Sequence, residues 1–419
     1  MAEPKLLNLT RLGWGLAVPV GFRSIVGLAC IHATDRSARE AQPVTNAAPL
    51  QQVQADWWQR AYEAVGPLTT KQLVFIATGI GLMLLAMGPS YQKISKYAFP
   101  LYGIVVTMLL LLMAGRFLER MGITIPLVPE RRDTFRWIAL GPFQIQPSEF
   151  MKVALILALA RYLRFRSSYR RWRGLIAPFL LTVVPMVLIL FQPDLGTLLM
   201  LLPVLFVMLF VAGARLRHLV IVVLLGCATM PVFYMYGMKG YQKARIQVLF
   251  KQNIDDESWH MDEGYQLRQS KIALGTGGTT GQGYGAGMFV EYDGLLPEEH
   301  NDFIFAIIGH QWGLIGGILV ILAYSIIVLV GLEVATVTND PFGRLLAVGV
   351  VVMIVVQALL NVCMNIGLAP ITGMTLPFVS AGGSSLWANY LALGLLVNVA
   401  QRRPLLIAHR PFEYQDDDD

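Results

Sequence analysis

Charged side chains are scarce in this chain: Asp, Glu, Lys and Arg make up 14% of its 419 residues, against 55% hydrophobic ones. A soluble protein normally carries about 25% charged residues, so the two or three soluble domains that the length would allow are excluded. Disorder is excluded too, because so much apolar surface does not stay solvated. Cysteine is also sparse. Cys30, Cys227 and Cys363 each lie inside an apolar run, with no metal spacing and no disulfide framework, and read as small packing residues. The order G-x-x-x-x-G-K-[ST] is absent, which argues against a nucleotide-phosphate loop. What the chain does have is apolar length, and the class that remains is an all-α polytopic membrane protein.

A bilayer core takes about 20 apolar residues per helix. Candidate spans are 12–33, 72–88, 97–115, 148–163, 174–191, 195–214, 218–237, 303–331, 344–367 and 383–400, about ten. The run that follows Lys5 and Arg11 is too long for a signal-peptide core and is interrupted by Arg23, so it reads as an uncleaved first helix. The net charge is +6. Its basic residues fall in alternate short loops: Lys93 and Lys96; Arg161, Arg164, Arg166, Arg170, Arg171 and Arg173; Arg215 and Arg217; Arg344; Arg402 and Arg403. That places both termini in the cytoplasm and makes the basicity a feature of membrane topology, not of nucleic-acid binding. Three long loops then face outward: 34–70, with Trp57-Trp58 suited to the interface, 116–147, and 238–302 between the seventh and eighth spans. The last is expected to hold short helices lying on the membrane and a re-entrant portion. A single membrane domain covers 1–403, with 404–419, ending in four aspartates, as a tail.

Five segments carry polar chemistry. In Arg136-Trp137-Ile138 followed by Gln146-Pro147-Ser148-Glu149-Phe150-Met151-Lys152, Glu149 and Lys152 share a helical face and can pair. The same residues equally describe a capped helix start with a snorkelling lysine. In Gln192-Pro193-Asp194-Leu195-Gly196-Thr197, Asp194 is a helix cap that could also face an external cavity. Gln269-Ser270-Lys271 runs into a glycine-dense stretch through Gly287, where backbone amides could converge on an anion beside Lys271, or simply form a flexible loop. In Pro297-Glu298-Glu299-His300-Asn301-Asp302, carboxylates crowd the mouth of the eighth span. Burial and neighbouring charge would raise the pKa of Asp302 and suit it to act as a general base, although a plain N-cap also fits. The breakers of 372–385 suggest a re-entrant turn, or glycines and serines that only permit close helix packing.

Read together, RWI…QPSE…K, FQPDLGT, QSKIALGTGG, LPEEHNDFIFA and LPFVSAGGSS, in this order over about Thr70 to Arg403, resemble the SEDS family (shape, elongation, division and sporulation), whose members include RodA and FtsW. The resemblance implies a peptidoglycan glycosyltransferase that polymerises lipid II, at the outer face of the bacterial cytoplasmic membrane. It assigns the essential aspartate to Asp302 and matches Trp137, Glu149, Lys152, Asp194, Lys271 and Ser384 to characteristic positions. His310-Gln311, Ala381 and Phe135 depart from the family pattern.

The expected chemistry is an inverting displacement. Asp302 takes the proton of an acceptor 4-hydroxyl, and the lipid pyrophosphate leaves against cations drawn from Arg136, Lys152, Lys239, Arg245 and Lys271. A divalent cation, Mg2+ or Mn2+, could share that charge, although no ligand set is readable. The family implies a class B penicillin-binding transpeptidase as partner, docking on spans eight and nine. The short segment before the first span leans towards cell elongation. The alternatives are a septal polymerase of the same chemistry, a lipid II flippase, to which ten spans and intramembrane Arg23 are also suited, and a scaffold.

Overall fold

The computed structural model describes residues 14–40, 65–119, 121–123, 125–130, 134–141, 143–164, 171–238, 240–252, 264–292 and 294–402. Trp57-Trp58, Arg166, Arg170, Lys239, Arg403 and the 404–419 tail lie outside these residues.

Each candidate span corresponds to a helix: α1 (Trp14–Glu40), α2 (Pro67–Met87), the short α3 (Tyr91–Lys96), α4 (Ala98–Glu119), α5 (Pro147–Leu163), α6 (Trp172–Phe191), α7 (Leu195–Ala212), α8 (Leu216–Val232) with a π-turn at Phe233–Gly237, α9 (Gly240–Lys251), α10 (Tyr265–Gly277), the single turn α11 (Met288–Glu291), α12 (Ile304–Val337), α13 (Pro341–Asn365) and α14 (Gly383–Arg402). Eight of these segments are long and apolar enough to cross a membrane, which marks a multi-pass membrane protein. α5, with 17 residues, and the more polar α14 fall outside that set.

Burial sorts the helices. α5 reads Met-Lys-Val-Ala-Leu-Ile-Leu-Ala-Leu-Ala and is buried on every side from Met151 to Ala160, as a helix without a polar face must be. It packs against α4, α7, α13 and α14, and α2 lies along α14. α8 is the opposite case: Val220, Leu224, Leu225 and Met230 are exposed, and among the described residues it packs mainly against α7. Such a face suits lipid.

The two ends of the bundle differ. At one end, Arg161 donates to Ser95 at 3.2 Å, Arg164 pairs with Asp340 at 3.1 Å, and the Trp172 and His218 rings lie tilted with centroids 4.4 Å apart, flanked by exposed Arg171, Arg173, Arg215 and Arg217. At the other end lie the α6–α7 turn at Gln192–Asp194, the start of α12 and the end of α13. Arg161, Arg164, Arg171, Arg173, Arg215 and Arg217 thus gather at one end of the bundle.

Two expectations need correction. The 116–147 loop contains strands that the helical patterns did not signal: β1 (Ile138–Leu140) and β2 (Phe143–Ile145) pair antiparallel, Ile138 opposite Ile145. Phe135 and Ile138 close a small apolar cluster with Leu112 and Val128, which seats this hairpin on α4. The glycine-dense stretch is neither an anion nest nor a loose loop. α12 breaks at Gly313 (φ 62°), and the segment 277–283 repairs the break. The amides of Gln282 and Gly283 donate to the carbonyls of His310 and Gln311 at 2.9 and 3.1 Å, and those of Leu314 and Ile315 donate to Gly278 and Thr279 at 2.9 and 3.2 Å. Gly281 holds φ 87°, and a Cβ there would overlap the Gln311 carbonyl. The glycines admit backbone-to-backbone contact; the amides of Gln282 and Gly283 are used on carbonyls, and that of Gly287 on the Glu291 carboxylate at 3.0 Å.

Candidate active site

The end of the bundle away from the arginine rim holds a cleft of about 940 Å³. Arg136, Trp137, Glu149, Asp194, Arg245, Asp302 and Ser384 all line it, together with Lys71, Arg116, Gln146, Glu298 and Asn301. Segments remote in sequence, predicted one by one, thus meet on one surface.

Asp194 caps α7 and does more. Its Oδ1 accepts the Thr197 amide at 3.2 Å. Its Oδ2 accepts the Thr197 hydroxyl at 2.9 Å, the Ser148 hydroxyl at 2.8 Å and the Gln146 side-chain amide at 3.1 Å. One carboxylate therefore ties the start of α5 to the start of α7. Arg136 reaches over this turn, donating from Nε to the Gln192 carbonyl at 2.7 Å and from Nη2 to that of Pro193. Its fork is fixed on backbone at the cleft wall. Ser384, in the first turn of α14, accepts the Gln146 amide at 3.0 Å and donates to the Gln144 carbonyl at 3.1 Å, pinning the hairpin to the bundle.

Glu149 and Lys152 pair at 2.7 Å, as their spacing predicts. Lys152 nevertheless faces away from the opening. None of its side chain is exposed, and Nζ also donates to Gln357 Oε1 at 3.1 Å, so it does not snorkel. Lys271 likewise does not line the cleft and donates to Gln252 at 2.7 Å. Of the expected substrate-binding cations among the described residues, Arg136 and Arg245 are on the cleft wall, whereas Lys152 and Lys271 sit in supporting networks.

Asp302 stands just before α12. The N-cap of that helix is Phe303, with no side-chain capping bond, so the Asp302 carboxylate is not used as a cap. Its position is set through its backbone. The carbonyl accepts Asn361 Nδ2 at 2.8 Å and Asn365 Nδ2 at 3.2 Å, and the amide donates to the Glu298 carbonyl at 3.1 Å. Asn365 Oδ1 also takes the Ala306 amide at 3.1 Å. Burial first, and the Glu298 carboxylate second, push the Asp302 pKa up to about 7. Asp194 adds to this rise, while Arg245 and Arg136 oppose it. A carboxyl poised there changes charge near neutral pH and is accessible from the cleft.

Sequence reasoning missed Asn361, Asn365 and Gln357. The signal was available: residues 357, 361 and 365 recur every fourth position on one face of an otherwise apolar helix. Lys71 and Arg116 carried no such signal, because they lie far in sequence from the five segments. Among the described residues no three His, Cys, Asp or Glu side chains are grouped to hold a metal.

A family model described as a cell cycle protein, spanning FtsW, RodA and SpoVE, matches residues 53–404. The chain belongs to this SEDS family. It is 35% identical over 336 residues to the probable peptidoglycan glycosyltransferase FtsW of Geobacter metallireducens, covering 79% of this chain and 84% of that one. The peptidoglycan glycosyltransferase MrdB of Escherichia coli K12 is 35% identical over 272 residues, 65% of this chain and 72% of its own. A chain solved in a peptidoglycan synthase complex superposes with a TM-score of 0.73 at 26% identity, covering 96% of this SEDS protein and all of its own length.

Proposed function

We propose that this SEDS-family peptidoglycan glycosyltransferase extends glycan strands by transferring the lipid-linked chain to the GlcNAc 4-hydroxyl of lipid II, with Asp302 as general base. The observation that carries the reading is a carboxyl in the cleft, not committed to capping, whose pKa is pushed up to about 7. Such a base is half-ionised at neutral pH yet basic enough to take a hydroxyl proton as the oxygen attacks the donor anomeric carbon, a contribution of about 10²–10⁴-fold. The bond from that carbon to the pyrophosphate oxygen breaks as the new glycosidic bond forms, and configuration inverts. Charge then builds on the lipid pyrophosphate, where Arg136 and Arg245 supply donors from the cleft wall. A divalent ion bound beside the pyrophosphate would supplement them. Glu149, Asp194 and Ser384 shape the cleft wall, and Trp137 offers an apolar face to a sugar ring.

The lipid tails explain the architecture, since a donor already activated on a polyprenyl carrier must be met at the membrane surface. The cleft lies at the end opposite the arginine rim, and the positive-inside rule supports a cleft on the external face of the inner membrane with both termini in the cytoplasm. A class B penicillin-binding transpeptidase fits the exposed apolar face of α12, where Leu314, Ile318, Leu322 and Leu329 are uncovered. Elongation is the role carried forward from the sequence. Relatives with FtsW and MrdB names are both 35% identical, so co-purification with each candidate transpeptidase decides between elongation and septation.

The reading is tested with purified protein and fluorescent lipid II. Polymer in detergent, with no flipping in vesicles, is expected. Flipping without polymer would favour the transporter, a reading that the concentration of polar groups at one end of the bundle already disfavours.

A further inference from the structure

Arg23 has no part in the chemistry above, yet it is the most unusual side chain in the membrane-spanning region. It lies in the middle of α1 and is completely buried. Its Nε donates to the Pro19 carbonyl at 3.1 Å, and neither Nη atom has a hydrogen-bond partner. Its neighbours are aromatic rather than acidic: Cζ is 3.9 Å from the Tyr324 ring centroid and 5.3 Å from that of Phe378. Charged groups in a membrane interior are costly and are kept for a task. Replacing a poorly paired buried charge by an apolar residue is often neutral or stabilising, so stability alone does not account for Arg23.

Its aromatic neighbours point to that task. Phe378 is at the tip of the 372–382 turn and holds φ 65°, a left-handed conformation that a bulky residue avoids. Several neighbours hold this tip. The Tyr324 hydroxyl donates to the Pro377 carbonyl at 2.6 Å, the Tyr390 ring packs edge-on to Phe378 at 5.2 Å, and Tyr390 is itself hydrogen-bonded to Ser24 at 2.9 Å. One turn after Arg23, Gly27 brings α1 so close to the tip that a Cβ there would overlap the Val379 carbonyl. The limb that leaves the tip reaches the catalytic loop: Ser380 Oγ donates to the Asn301 carbonyl at 2.5 Å, and the Ala381 amide donates to the His300 carbonyl at 2.8 Å.

We infer that Arg23 is a positioning residue for glycosyl transfer: its guanidinium, laid on the Tyr324 and Phe378 rings, locks the strained tip of the 372–382 turn, and the turn in turn sets the loop that presents Asp302. Arg suits this place because a flat cation covers aromatic faces without needing a counter-ion. The inference rests on the assignment of Asp302 as base.

The test compares Arg23→Met, Arg23→Lys and Asp302→Asn in lipid II polymerisation, each with its thermal midpoint in detergent. Arg23→Met is expected to lower kcat at least tenfold while KM stays within about twofold, because the cleft arginines are untouched, and its midpoint is expected to equal or exceed that of wild type. Arg23→Lys, which keeps a cation for the Tyr324 ring, should recover at least half of the lost kcat. Tyr324→Phe, which keeps the ring under Arg23 and removes the hydroxyl that holds the Pro377 carbonyl, should lower kcat in the same sense and serves if Arg23→Met does not fold. Unchanged kcat in Arg23→Met and Tyr324→Phe, or a loss of kcat that only follows a falling midpoint, would overturn the inference. An active Asp302→Asn would instead overturn the base assignment, so the two failures are distinguishable.

Discussion

The raised pKa of Asp302 makes the pH profile of catalysis a quantitative consequence of the cleft. A general base acts when deprotonated, so with a pKa of about 7, kcat/KM should rise with pH to a plateau. About a tenth of the enzyme should be active at pH 6 and about nine-tenths at pH 8. Glu298→Gln removes the like charge that ranks second to burial in raising this pKa, and keeps an amide oxygen for Asn301, whose Nδ2 now donates to Glu298 at 2.7 Å. The acidic limb should move to lower pH by about one unit with an unchanged plateau, since a neighbouring charge is worth on the order of 1–3 units. Arg245→Gln should move the limb to higher pH. Initial rates of lipid II polymerisation between pH 5 and 9 give all three profiles. A wild-type midpoint near 4, or a Glu298→Gln profile that coincides with wild type, would refute the reasoning. Stability carries the opposite sign. The folded protein holds the Asp302 proton more tightly than the unfolded chain, so the folded state loses stability as pH rises from about 4 to about 7. The loss is at most about 4 kcal/mol, and less after solvent screening of this partly exposed group.

Other parts of the structure make their own predictions. Lys152→Met strands the buried Glu149 carboxylate and should cost about 3–5 kcal/mol, read as a fall in thermal midpoint, and adding Glu149→Gln should restore much of it. Gly281→Ala places a methyl against the Gln311 carbonyl at φ 87°. It should lower the thermal midpoint far more than Gly275→Ala, where a Cβ meets open space.

Much of this was legible in the sequence because the bilayer imposes long apolar runs. The candidate spans match helices to within a few residues at most ends. α1 and α12 run on further, to Glu40 and Val337, because their last turns are polar or mixed and fall outside an apolar window. The Glu149–Lys152 pair and the Asp194 cap were legible because i,i+3 spacing and capping are local rules. The direction of Lys152 was not, since whether a lysine snorkels or is sealed depends on Gln357, some two hundred residues away. The glycine stretch misled for a related reason: glycine density shows that backbone comes close to something, but not whether the partner is an anion or the broken carbonyl ladder at Gly313. The hairpin escaped because strands of three residues leave no periodicity to read.

The most direct measurement compares glycan synthesis from purified lipid II by wild type and Asp302→Asn at pH 8, with folding verified by matched elution and thermal midpoints. A neutral side chain of the same shape cannot accept the hydroxyl proton, so product should fall by at least about 10²-fold. Glycan strands formed by Asp302→Asn at the wild-type rate would contradict the account.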